Sequence, residues 1–328
     1  MEDFITLAEV QEAQARIAGV VVRTSLQRLP NRPAEEPEIW IKDESEQPIR
    51  SFKLRGAYNK IAAIDEETIK RGVITYSSGN HAQGVAYAAR ARRTKAVIVM
   101  PNTSPAIKVE ATKRLGGEIV TVGPASSERL AKAEELQREF GYTMVPPYDD
   151  RLIIAGAATC GLEIAEQMPE VDLVLVPVGG GGLLSGVAVA TKAMIEGVRV
   201  FGVEPTLAAD AKESFDTKTR VDWTSAQTTR TIADGLRTQG LGKLNFAHVM
   251  HFVDGILSVT EEEIYAAMRV LLQTTSMVPE PSGVVTLAAA LYHRHELPPA
   301  KRIVVIMSGG NLDPALQQRL LQTDAERL

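Results

Sequence analysis

Apolar residues along this chain recur at two spacings, and the switch between them marks out its elements. From Leu7 to Ile17 they return every three or four positions. The stretch Thr6-Leu7-Ala8-Glu9 at the head of that run is a capping box, so a helix is predicted from there to about Ile17. Arg23 to Pro37 is turn-rich, and Ile39 to Ile41 reads as a short strand. Leu54, Ala57, Tyr58, Ile61 and Ala62 restore helical spacing directly after Ser51-Phe52-Lys53, with Pro48 fixing a turn just upstream.

From Val73 onward the alternation becomes regular. Strands are predicted over 73–76, 96–100 and 118–122, and helices over 82–92, 105–115 and 127–140, the last stopped by Gly141. Pro146-Pro147-Tyr148-Asp149-Asp150 interrupts this rhythm and reads as a crossing between domains. Helix 153–167, strand 171–178, a helix from Leu183 and strand 198–203 follow. Residues 215–242 are polar and irregular. Thr260-Glu261-Glu262-Glu263 is a second capping box, opening a helix to about Gln273; helix 282–293 and strand 302–307 complete the pattern. Such alternation means βαβ units on parallel sheets. The division expected is a larger domain from 1–70 and 146–328 and a smaller one from 71–145.

Composition narrows the classes. The 328 residues are 45% hydrophobic and 23% charged but only 5% aromatic, so the core must be aliphatic, as in helix-covered parallel sheets. A net charge of -5 gives no electrostatic argument for nucleic acid or an anionic membrane. The lone Cys160 excludes a disulfide within the chain and reads as a small core residue. The acidic Met-Glu-Asp-Phe start has no apolar region behind it, and no run has the length of a membrane span. A cytoplasmic protein is expected.

Three glycine- or serine-rich stretches follow apolar strands, at the strand ends where open α/β sheets bind ligands. They are Ser77-Ser78-Gly79-Asn80-His81, the tetraglycine Gly179 to Gly182, and Ser308-Gly309-Gly310-Asn311. The tetraglycine lies between a strand and a helix, where bare N–H groups and a helix N-terminus hold phosphate. It is neither a Walker A loop, since Val187 stands where lysine is required, nor a dinucleotide fingerprint, since Leu184 replaces the last glycine. The Ser77 stretch suits a carboxylate and an oxygen-bearing ring, and helix capping explains it equally well. His81 reads as a base or as a capping or surface residue. Lys53 alone is an ordinary surface lysine; beside these loops it reads as the anchor of an anionic cofactor.

Together these stretches resemble the fold-type II pyridoxal-phosphate-dependent enzymes, specifically the threonine/serine dehydratase (ammonia-lyase) and serine racemase group. Thr231-Ile232-Ala233-Asp234-Gly235 and Glu280-Pro281-Ser282-Gly283 extend the likeness over nearly the whole chain. The resemblance implies a tryptophan synthase β-like fold of two lobes with pyridoxal 5'-phosphate in the cleft between them. Lys53 would hold the cofactor as a Schiff base and, once released, act as base at Cα. Phe52 would flank the ring, Asn80 would bond its 3′ oxygen, and Ser308 would face the ring nitrogen. Gly179, Gly180, Gly181, Gly182 and Leu183 would cup the phosphate, while Ser77, Ser78, Gly79, Asn80 and His81 would receive the substrate carboxylate.

Ser78 occupies the position of a second base in racemases of the group. Glu204, Ala208 and Asp210 match a site for Mg²⁺, Ca²⁺ or Mn²⁺ in racemases and some dehydratases, against the plainer reading of two solvated acids on a loop. His248 and His251 have no further ligand nearby and receive no function. The resemblance also implies a homodimer or homotetramer, and the residues after Asp313 leave no room for the regulatory domain of biosynthetic threonine dehydratases. The activity implied is dehydration and deamination of a β-hydroxy-amino acid, L-threonine or L-serine first. Serine racemase, 3-hydroxyaspartate dehydratase and phenylserine dehydratase are the alternatives within the group, and a non-catalytic phosphate-ligand binding protein is the alternative outside it.

Overall fold

The computed structural model describes residues 4–123 and 126–322. Helix α1 (Leu7–Ile17) precedes strands β1 (Leu26–Arg28) and β2 (Glu38–Asp43), and helix α2 (Lys53–Ala62) follows them. Next come β3 (Val73–Thr75), α3 (Asn80–Ala91), β4 (Ala96–Pro101), α4 (Ala106–Arg114), β5 (Gly117–Val122), α5 (Ser126–Phe140) and the two-residue β6 (Thr143–Met144). The chain continues through α6 (Arg151–Gln167), β7 (Leu173–Pro177), α7 (Gly182–Met194), β8 (Arg199–Pro205), α8 (Asp210–Thr217) and the short α9 (Ser225–Thr228). It ends with α10 (Lys243–Phe252), β9 (Gly255–Val259), α11 (Glu261–Thr274), α12 (Val285–Tyr292), β10 (Arg302–Met307) and α13 (Pro314–Gln322).

The strands form two sheets. One has the order β1-β2-β10-β7-β8-β9, the other β5-β4-β3-β6. All pairings are parallel except β1 with β2, an antiparallel edge inside the stretch expected to be only turns. Both expected capping boxes are present, at Thr6 and Thr260. Helices α8 and α10 and strand β9 arise where the pattern gives no clear signal. The central strands β7 and β10 are buried almost throughout, which is why they read as unbroken apolar runs rather than alternating ones. Cys160 lies fully buried on α6. The acidic Met1 to Asp3 lies outside the described residues.

Helices α2 and α6 meet backbone to backbone. A Cβ added at Gly156 would lie 2.5 Å from the Arg55 carbonyl oxygen, and one at Gly56 2.8 Å from that of Ile153. Beneath this contact lies a buried charge network. The Arg55 guanidinium bonds both oxygens of Glu44 at 2.7 and 2.8 Å and both of Glu163 at 2.7 and 2.9 Å. Lys42 bonds Glu163 at 2.6 Å, Gln167 at 2.9 Å and the Thr24 carbonyl at 2.8 Å. Two cations thus face two carboxylates, with the forked geometry that makes such pairs strong. Burial alone would raise the Glu44 carboxyl; the Arg55 charge beside it holds it below its usual value. The network fixes α2, and with it the residue that starts α2, which is Lys53.

Candidate active site

A cleft of about 1250 Å³ opens at the carboxyl ends of β3, β7 and β10. Lys53, Ser78, Asn80, the tetraglycine and Ser308 all line it, so the residues picked from separate loops of the sequence are brought to one place.

The segment before Lys53 is stapled to the loop after β10. Phe52 N–H donates to the Ser308 carbonyl at 3.1 Å, Gly310 N–H donates to the Arg50 carbonyl at 2.9 Å, and Arg50 Nε donates back to the Gly310 carbonyl at 3.0 Å. Arg50 adopts a left-handed backbone, φ 56°, to make this turn. Lys53 is therefore half-buried at the cleft wall rather than fully exposed. Its Nζ donates to the Pro147 carbonyl at 2.8 Å and sits 5.0 Å from the centre of the Phe52 ring. Among the described residues no carboxylate pairs with it, and burial pushes its amine down to about 8.

The glycine loop joins β7 to α7. Gly181 precedes the helix at φ 93°, a left-handed conformation, and no side chain caps the helix, so its first N–H groups remain for a ligand. The four glycines in sequence favour anion binding over a plain tight strand-to-helix turn. The structure adds a neighbour: a Cβ on Gly180 would lie 2.3 Å from the Tyr148 ring. Tyr148, read only as part of a domain crossing, packs directly on the loop. Leu183 is buried behind it.

The Ser77 stretch departs from its capping alternative, since no side chain caps α3. Ser77 Oγ instead accepts the Gly79 N–H at 3.3 Å. His81 is neither capping nor surface. It is 3% exposed, its Nε2 lies 2.9 Å from the Val145 carbonyl, and burial with the Lys53 charge nearby pushes it down to about 3. That ring stays neutral and is unsuited to proton transfer at neutral pH; what His81 can offer a carboxylate is its backbone N–H at the start of α3. Asn80 bonds Glu280 and Asn311, two residues quoted in motifs but given no role. Ser308 is 4% exposed, with Oγ 3.5 Å from the Ser282 carbonyl. Arg129, from α5, lines the cleft as well, and nothing in its sequence neighbourhood announces it. Lys108 and Asp234 form an ion pair between two lining segments.

Glu204 ends β8 and Asp210 starts α8, with Ala208 in the 3-10 turn between them. The reading of two solvated acids is wrong, because each is 1% exposed. Glu204 accepts backbone N–H bonds from Lys212 at 2.6 Å and Ala211 at 3.3 Å, while Oδ2 of Asp210 has no partner. Burial pushes both carboxyls up, Asp210 to about 7, and Asp210 raises Glu204 further. An orphaned carboxylate oxygen beside a second acid fits a hard divalent cation. Among the described residues, no group of three or more His, Cys, Asp or Glu side chains could hold a metal, so the fit depends on a backbone carbonyl such as that of Ala208. No helix is long and apolar enough to cross a membrane among the described residues.

The comparisons agree with this geometry. The family described as "Pyridoxal-phosphate dependent enzyme" matches residues 17–309. An L-threo-3-hydroxyaspartate ammonia-lyase from Saccharomyces cerevisiae is 38% identical over 94% of this chain and 94% of its own length. An L-threonine ammonia-lyase from Thermotoga maritima is 40% identical over 97% of this chain and 78% of its own. The structure of maize serine racemase superposes with a TM-score of 0.92 at 37% identity, covering 98% of both chains. The chain therefore belongs to the pyridoxal-phosphate-dependent enzyme family, as a member with the fold-type II architecture.

Proposed function

We propose that the protein dehydrates and deaminates a β-hydroxy-amino acid, with L-threonine and L-serine as preferred substrates, releasing a 2-keto acid and ammonia. The observation that carries this reading is the Lys53 amine, buried among cleft residues with no carboxylate beside it. The residues present fit pyridoxal phosphate: a bare glycine loop and helix start for the phosphate, an amine for the aldehyde, and a hydroxyl rather than an acid at the ring nitrogen.

When bound, that group supplies an aldehyde for amines and an electron sink for the bonds at Cα. Everything else falls to the chain. Gly179 to Gly182 and the N–H groups opening α7 hold the phosphate, with Leu183 behind them. Phe52 would flank the ring, Asn80 would donate to its oxygen, and Ser308 would present a neutral hydroxyl to the ring nitrogen. Lys53, with its amine lowered toward neutral pH, takes the proton from Cα. Ser77, Ser78 and Gly79, with the backbone of Asn80 and His81, receive the carboxylate, and the Ser78 hydroxyl is the second proton-handling group. Glu204, Asp210 and the Ala208 carbonyl would hold a divalent cation.

One observation favours a second reading. Arg129 lines the cleft, and a basic side chain there would pair with a β-carboxylate. That points to 3-hydroxyaspartate, the substrate named for the yeast relative. Lobes made of 71–145 on one side and of 1–70 with 146–328 on the other agree with the two sheets. We read the working form as a cytoplasmic homo-oligomer.

The test is a keto-acid assay on the purified protein against β-hydroxy-amino acids of both configurations, with chiral analysis of the remaining substrate. Pyruvate or 2-oxobutanoate as the main product supports the proposal. Preferred turnover of 3-hydroxyaspartate moves the substrate to the second reading. Racemised serine exceeding keto acid overturns the dehydratase assignment in favour of a racemase.

A further inference from the structure

The carboxamide of Asn80 is gripped from both ends. Nδ2 of Asn311 donates to the Ile49 carbonyl at 3.0 Å and to Oδ1 of Asn80 at 2.8 Å, which uses both of its hydrogens. A backbone carbonyl only accepts, so Ile49 fixes which end of the Asn311 amide is nitrogen, and Asn311 in turn fixes Asn80. Nδ2 of Asn80 then donates to Oε1 of Glu280 at 2.7 Å. An amide nitrogen carries two hydrogens, and one on Asn80 remains, in a side chain that lines the cleft.

The partners come from opposite sides. Asn80 starts α3 on the four-stranded sheet, whereas Glu280 precedes α12 and Asn311 follows β10 of the six-stranded one. Glu280 is itself held, since its N–H donates to the Gly309 carbonyl at 3.1 Å. Its carboxyl is only 5% exposed, and no basic side chain hydrogen-bonds it among the described residues. Such a group is costly to keep for packing alone.

We infer that Glu280 and Asn311 are positioning residues that hold the Asn80 carboxamide with its remaining Nδ2 hydrogen turned to the cofactor's ring oxygen, so that cofactor seating depends on the approach of the two sheets. The inference rests on the pyridoxal-phosphate reading of the cleft and adds to it how Asn80 is aimed. Burial pushes the Glu280 carboxyl up to about 7, with the Asp234 charge adding to it and Asn80 and Lys108 opposing. Either form of the carboxyl leaves an oxygen able to accept from Asn80.

The experiment titrates cofactor-free protein with pyridoxal phosphate and reads its dissociation constant and the position of the visible absorbance band. Glu280→Ala and Asn311→Ala are each expected to weaken binding about 10-fold and to shift the band. Glu280→Gln keeps an accepting carbonyl and is expected to stay within about 3-fold of wild type. In an Asn80→Ala background, adding Glu280→Ala should cost less than about 2-fold, because the amide through which it acts is gone.

Binding unchanged in both alanine variants, with an unshifted band, overturns the inference. So does a full loss from Glu280→Ala that persists without Asn80. If Glu280→Ala does not fold, Asn311→Ala and its combination with Asn80→Ala carry the same expectations. Wild-type protein that takes up no pyridoxal phosphate sinks the cofactor reading itself, whereas normal wild-type uptake with unaffected variants sinks the clamp alone.

Discussion

Two lysines eleven positions apart, Lys42 fully buried and Lys53 half-buried in the cleft, meet different fates. Lys42 has Glu163, Gln167 and the Thr24 carbonyl around its ammonium, inside a network where cations and carboxylates balance. Lys53 has one carbonyl and an aromatic ring, and no acid. The first is held by its three partners and serves as a fastener. The second is pushed toward the neutral amine, the form that attacks aldehydes and accepts protons. The same division separates the acids: Glu44 and Glu163 are paired with Arg55, while Glu280, Glu204 and Asp210 lie buried with no basic side-chain hydrogen-bond partner among the described residues. Burial without compensation marks where this molecule does chemistry.

The largest effect expected from this contrast is at Lys53. Lys53→Ala should lower turnover by about 10⁴-fold or more and remove the visible absorbance formed on loading with pyridoxal phosphate. Retained absorbance would show that the wrong lysine carries the linkage. Glu163→Gln attacks the balanced network instead, leaving Lys42 and Arg55 short of a carboxylate. A loss of about 3–5 kcal/mol in urea unfolding is expected, and a loss under 1 kcal/mol would mean that the network is not holding the helices. The acidic pair is next. Mg²⁺, Ca²⁺ or Mn²⁺ at about 100 times its dissociation constant should stabilise the protein by about 2.7 kcal/mol, seen as a raised Tm. Asp210→Asn should erase that rise, and an equal rise in the variant would place the cation elsewhere.

The smallest effect has its sign fixed by linkage. The folded protein lowers the Lys53 amine from 10.5 to about 8, so without cofactor the folded state resists protonation there. The resulting destabilisation is fully present below pH 8 and fades as pH rises from 8 through 10.5. Lys53→Met should therefore stabilise the cofactor-free protein at pH 7 by ~2 kcal/mol, after allowing for the amine's residual contact with solvent. Lys42→Met should do the opposite. Equal destabilisation by both would erase the distinction between the two lysines.

What could be read from the sequence was what depends on near neighbours. The capping boxes at Thr6 and Thr260, the β-branched run of β10 and the glycine loop all carry their signal within a few residues. Helix α10 did not, because its start is capped by Asp149 from 94 residues away. Strand β1 is three residues long, with its register set by β2 rather than by any alternation of its own. The site residues divide in the same way. Lys53, Asn80 and Ser308 stood out through their motifs. The burial of His81 under Val145, the pressure of Tyr148 on Gly180 and the grip of Glu280 on Asn80 arise only when distant segments meet. Glu204 and Asp210 looked like loop acids because sequence alone does not reveal how deeply a turn is covered.

The staple between residues 50–52 and 308–310 also has a bearing on synthesis. β10 is inserted between β2 and β7, so the six-stranded sheet has a gap at its centre until residues 302–307 have been synthesised. Lys53 is made well before the loop that fixes its approach, since Ser308 lies 257 positions downstream of its partner Ser51. A nascent chain can therefore expose the reactive amine but cannot yet build the cup around it. Completion of the cleft on this scaffold therefore waits for the synthesis of β10.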